Sequence, residues 1–90
     1  MELNKARTEI NNIDKEIVKL LEKRFVLVNE IGRYKRMQDL PLYDEAREKQ
    51  VVEFCTNALE NKEYSKYLDD IYFQIMRSCK DLQSNSKEEI

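Results

Sequence analysis

From Leu3 to Tyr34 the apolar side chains fall three, four or seven residues apart, at Leu3, Ala6, Ile10, Ile13, Ile17, Leu20, Leu27, Ile31 and Tyr34. No proline interrupts the run before Pro41. This spacing is the stripe of an amphipathic helix packed along its length. The residue before a proline is pushed out of helical geometry, so a single helix is predicted from about residue 3 to about residue 38. At about 1.5 Å per residue it is roughly 50 Å long. Gly32 inside it costs about 1 kcal/mol relative to Ala and leaves room for a close backbone approach. The rest of a 90-residue chain is too short to cover such a rod. A partner chain is therefore expected against it.

A second, shorter helix is predicted after Leu-Pro-Leu-Tyr, with Asp44 as N-cap and Glu45 in the first turn. Its apolar face runs through Val51, Val52, Cys55, Ala58 and Leu59. Asn61-Lys62-Glu63 reads as a polar connection. A third helix of intermediate length carries Tyr64, Tyr67, Leu68, Ile71, Tyr72, Ile75, Met76, Cys79 and Leu82 at helical spacing. Residues 84–90 read as a polar, frayed tail. One Gly and one Pro among 38% charged residues argue against an all-β chain, which needs many turns. The expected architecture is all-α: one domain over residues 1–90, with a long, a short and a medium helix and a partner chain against the long one.

Composition narrows the chemistry. A net charge of −2 gives no basic character for nucleic-acid binding. No apolar run approaches the ~20 residues of a membrane span, and no signal-peptide pattern opens the chain. Cys55 and Cys79 lack metal-ligand spacing and read as free thiols in a reducing cytoplasm. The chain has no histidine, the usual base of nucleophilic catalysis and a common zinc ligand.

The apolar pattern is broken at informative places. Heptads from Leu3, Ile10 and Ile17 land on Arg24 before recovering at Ile31. A guanidinium on an inward position needs an anion, because an unpaired buried charge costs several kcal/mol. Lys35 shares that face, about 16 Å further along the axis, so the two side chains can bracket a small dianion. Arg7 lies near the same stripe but roughly 42 Å from Lys35. It can serve only the equivalent pocket of an antiparallel partner. Glu48, flanked by Arg47, precedes the apolar face of the second helix, and Gln83 follows Cys79 by one turn on the third. Singly, each residue also reads as a snorkelling end, a structural ion pair or a surface group, and Asp44 is a sufficient cap with no other task.

Together, the residues Arg7-x2-Ile10-x2-Ile13-Asp14-x2-Ile17-x2-Leu20-Leu21-x2-Arg24, then Ile31-x3-Lys35, then Pro41-x2-Asp44-x2-Arg47-Glu48 resemble the signature of the all-α chorismate mutases. That family includes the mutase domains of bifunctional prephenate enzymes. The ending from Ile75 to Gln83 is similar to the family's last helix, with Cys79 where serine is common. The resemblance implies a single-function mutase converting chorismate to prephenate without cofactor or metal, as an intertwined helical homodimer whose sites draw on both chains. It implies that Arg24 and Lys35 of one chain and Arg7 of the other hold the two carboxylates. Lys35 and Gln83 would contact the ether oxygen, and Asp44 (through its backbone N–H) and Glu48 the ring hydroxyl. Arg47 and Cys79 would line the site.

A [3,3] rearrangement needs no nucleophile or redox centre, so the lack of histidine is no obstacle. It needs a dianion held in a compact chair and support for charge growing on the ether oxygen. Two rivals stand beside this reading: an isochorismate-pyruvate lyase of the same architecture, and a non-catalytic helical dimerisation module. Feedback regulation and docking onto another shikimate-pathway enzyme stay open.

Overall fold

The computed structural model describes residues 1–85. It contains three helices: α1 (Leu3–Met37), α2 (Glu45–Asn57) and α3 (Ser65–Asn85), with a 3₁₀ turn at Lys62–Tyr64 before α3. The long, short and medium order is the one the apolar spacing predicts.

The ends of the helices follow from local chemistry. Lys35 and Arg36 occupy the last turn of α1, where cations meet the negative end of the helix dipole. Beyond it the chain turns through Asp39 at φ 56°, a left-handed position that Asp tolerates better than bulkier residues. Asp44 caps α2, its carboxylate accepting from the Arg47 backbone N–H at 3.0 Å. α2 stops at Asn57, so Ala58 and Leu59, expected on its face, fall beyond its last residue. Lys62 Nζ donates to the Thr56 and Asn57 carbonyls at 3.1 and 2.8 Å, serving acceptors that a helix end leaves open. Tyr64, expected in the third helix, sits in the 3₁₀ turn, where the Asn61 side chain accepts from Glu63 N–H at 3.0 Å. Ser84 and Asn85, expected in the polar tail, continue α3. The rest of that tail, residues 86–90, lies outside the described residues.

α3 packs against both other helices. Gly32 and Cys79, at the seam of α1 and α3, are the buried residues among those described. Thr56 Oγ1 donates to Asp69 Oδ1 at 2.6 Å across α2 and α3. α3 covers α1 only from about Leu21 onward, and residues 7–20 are exposed throughout. Ile10, Ile13 and Leu20 are 54%, 56% and 59% exposed there. The accessible surface is 7944 Å², whereas a folded monomer of 10.9 kDa exposes about 5,600 Å². An apolar row this long is costly to leave in water and marks a surface made to be covered. Among the described residues no helix is long and apolar enough to cross a membrane.

Candidate active site

A cavity of roughly 180 Å³ opens where the C-terminal half of α1, the start of α2 and the end of α3 meet. α1 supplies Arg24, Val28, Ile31 and Lys35. Leu42, Tyr43 and Asp44 close it from the connecting loop, with Arg47, Glu48 and Val51 from α2. α3 adds Met76, Cys79, Lys80 and Gln83. Four cations, Arg24, Lys35, Arg47 and Lys80, thus face two carboxylates, Asp44 and Glu48, between apolar walls. Charges act more strongly there than in bulk water. The arrangement suits a small anion.

Arg24 is half-buried, and its Nη1 donates to Cys79 Sγ at 2.9 Å. Burial pushes the Cys79 thiol above its ordinary pKa, while the Arg24 guanidinium pulls the other way. The net shift is upward, so Cys79 is a neutral thiol near pH 7. Lys35 Nζ donates to the Leu42 carbonyl at 3.3 Å, a long bond that an incoming anion readily displaces. Asp44 spends one carboxylate oxygen on the α2 cap. Glu48 Oε2 is buried and has no hydrogen-bond partner among the described residues. A buried carboxylate oxygen without a donor is costly. A ligand hydroxyl would satisfy it.

Gln83 Nε2 donates to the Val28 carbonyl at 3.1 Å. One amide N–H is occupied in this way, and the second is left for the cavity that Gln83 lines. Tyr43 and Lys80 also line the cavity, although the sequence pattern does not single them out. Lys80 Nζ sits 3.8 Å from the centre of the Tyr43 ring, a cation–π contact across the rim. Desolvation first, then the negative charge of nearby Glu48, hold the Tyr43 pKa above its usual value, so the phenol stays neutral. The i, i+3 relation of Lys80 to Gln83 is a usable signal, but a lone lysine beside a helix stripe reads as surface. Among the described residues no group of His, Cys, Asp and Glu is arranged to hold a metal ion.

Of the eight side chains expected at a site, Arg24, Lys35, Asp44, Arg47, Glu48, Cys79 and Gln83 meet at this cavity. Arg7 does not. It is exposed on the uncovered stretch of α1, about 25 Å by helical rise from Arg24, the first cavity residue on that helix.

The family model of chorismate mutase type II matches residues 6–84. A bifunctional chorismate mutase/prephenate dehydratase from Aquifex aeolicus is 34% identical over 92 residues, covering 96% of this chain and 25% of that protein. A protein of the same description from Buchnera aphidicola is 51% identical over 51 residues, 57% of this chain and 13% of its own length. The chain thus spans a quarter or less of these two relatives. Among solved structures, chorismate mutase (form II) from Thermus thermophilus superposes with a TM-score of 0.88 at 27% identity. That match covers 96% of this chain and 98% of that one. Seven expected site residues around one cation-rich cavity, a matching three-helix fold and a family match over nearly the whole sequence agree: this chain belongs to the chorismate mutase type II family.

Proposed function

We propose that the chain catalyses the rearrangement of chorismate to prephenate, as an antiparallel homodimer in which each cavity is completed by Arg7 of the partner subunit. The observation that carries this reading is a cavity with an excess of cations, one amide donor and one unsatisfied carboxylate oxygen. Chorismate presents two carboxylates, an ether oxygen and a ring hydroxyl. Arg24 and the partner's Arg7 pair with the carboxylates, since forked donors match their geometry. Clamping both ends selects the compact chair and removes much of the conformational search. As the C–O bond breaks, Lys35 and Gln83 donate to the ether oxygen, by bonds that strengthen toward the transition state. Glu48 accepts from the ring hydroxyl, with the Asp44 backbone N–H beside it. Arg47 and Cys79 shape the wall, and the neutral thiol holds Arg24 in place. Free thiols at Cys55 and Cys79 suit work in a reducing compartment such as the cytoplasm.

The direct test is to incubate the purified protein with chorismate and no added cofactor. Loss of chorismate with formation of prephenate supports the proposal. Salicylate and pyruvate formed from isochorismate, with chorismate untouched, would make the protein a lyase instead.

Ile13→Glu places a carboxylate on the exposed apolar row of α1 in both protomers. It should weaken dimerisation by on the order of 10²–10³-fold, and sedimentation velocity should show monomer at concentrations where the wild type is dimeric. Gln83→Glu should turn a flat pH profile into a sloping one. A carboxylate at that position repels charge growing on the ether oxygen, whereas the protonated acid donates to it. The kcat of this variant should rise as the pH is lowered from about 8 to about 5, as the glutamate takes up its proton.

A further inference from the structure

Gln83 is gripped by three successive turns on one face of α1, at positions 28, 32 and 36. The Val28 carbonyl accepts from its amide at 3.1 Å. Gly32 provides the seat for its stem: a Cβ built on Gly32 would lie 3.4 Å from Gln83 Cγ. Arg36 reaches past both, and its Nη2 donates to the backbone carbonyl of Gln83. That carbonyl belongs to the last turn of α3, where helix carbonyls lack an amide partner within the helix. A guanidinium is favoured there by the helix dipole as well as by the hydrogen bond. The other arm of Arg36, Nη1, is buried without a partner among the described residues. The guanidinium is therefore tucked against the end of α3 and not extended into solvent.

We infer that Arg36 is a positioning residue for the reaction, acting through Gln83. Its bond fixes the height of the α3 terminus relative to α1. The Val28 bond then anchors the amide nitrogen, whose second N–H is the donor left for the substrate. Without Arg36 the last turn of α3 loses this tie to α1, and the Gln83 backbone can shift relative to the Val28 carbonyl and carry the amide out of place. The inference rests on the mutase reading proposed above. It assigns to the residue next to Lys35 a task separate from touching substrate, since Arg36 is not among the residues that line the cavity.

The test measures kcat and KM for chorismate in Arg36→Met, Arg36→Lys, Gln83→Ala and the double variant Arg36→Met/Gln83→Ala. Circular dichroism and sedimentation accompany each protein. Misplacement of one donor predicts a fall in kcat on the order of tenfold for Arg36→Met, with KM within about twofold. Arg36→Lys, which keeps a cationic donor, should recover most of the loss. In the Gln83→Ala background, Arg36→Met should change kcat by less than about twofold, because the group it positions is gone. If Arg36→Met does not fold, the Arg36→Lys and Arg36→Gln variants are compared by the same cycle. Full kcat in Arg36→Met, or the same loss in both backgrounds, overturns the positioning role while leaving the mutase reading intact. Wild-type protein that leaves chorismate untouched overturns both.

Discussion

Lys35→Ala is expected to turn over chorismate 10²–10³ times more slowly than the wild-type chain, a loss of about 3–4 kcal/mol of transition-state stabilisation. The loss should appear mainly in kcat. Lys35 faces a cavity whose apolar walls keep its charge effective, and in the proposed mechanism the ether oxygen it would contact bears most charge only at the transition state. The fold should survive the change. In the absence of substrate Lys35 makes one long hydrogen bond, 3.3 Å to the Leu42 carbonyl, and losing a bond of that length costs little. Stopped-assay kinetics with thermal denaturation on the same samples separates the two effects. Near-normal kcat in a folded Lys35→Ala protein would remove Lys35 from the mechanism.

The second large effect is a rescue. Arg7→Ala alone should lose at least ~10²-fold in kcat/KM, since it removes a forked donor from a desolvated carboxylate. Lys35→Ala alone should be similarly poor. Mixed in equal amounts, unfolded and refolded together, the two should regain activity that neither has. A symmetric dimer that exchanges residue 7 between subunits concentrates both lesions in one site of the hybrid and leaves the other site intact. Random assortment then restores about one quarter of the wild-type sites. A site built wholly within one chain would restore none. The geometry favours rescue because Arg7 and Lys35 are on the same uninterrupted α1, too far apart to meet within one protomer.

Much of this is legible in the sequence. The three- and four-residue spacing along α1 needs no tertiary information, and Pro41 ends it at a readable place. Asp44 followed by Glu45 and Glu48 announces the start of α2 for local reasons. The polar residues that interrupt apolar faces, Arg24, Lys35, Glu48 and Gln83, are conspicuous because burial makes each of them expensive without a partner. What stays hidden depends on how helices sit against one another. The Arg24–Cys79 contact joins residues 55 positions apart. Arg36 is indistinguishable in sequence from any cation at a helix C-terminus until α3 arrives beside it. Gly32 reads as a weak point in a helix, whereas its lack of a side chain seats the Gln83 stem against α1. Tyr43 lies in a loop and Lys80 at the edge of a helix face, where local pattern carries little information. The expected end of α2 is two residues too late because Ala58 and Leu59 keep the apolar rhythm after the helix has stopped.

An α1 whose first half is bare in one chain, with apolar residues along it, is what a helix shared between two chains requires. In the proposed mechanism, a dianion site whose own Arg7 lies far from the cavity calls for the same sharing. If the second copy packs elsewhere, the exposed row at Ile10, Ile13 and Ile17 has no cover and Arg7 has no carboxylate to meet.

The most direct measurement is a crystal structure of the protein with a non-reactive bicyclic dicarboxylate that mimics the chair-like transition state. The mimic should lie in the cavity of roughly 180 Å³, with Arg24, Lys35 and Gln83 of one protomer and Arg7 of the partner subunit all within hydrogen-bonding distance. A mimic bound elsewhere, or bound there with Arg7 of both protomers in solvent, would contradict the account.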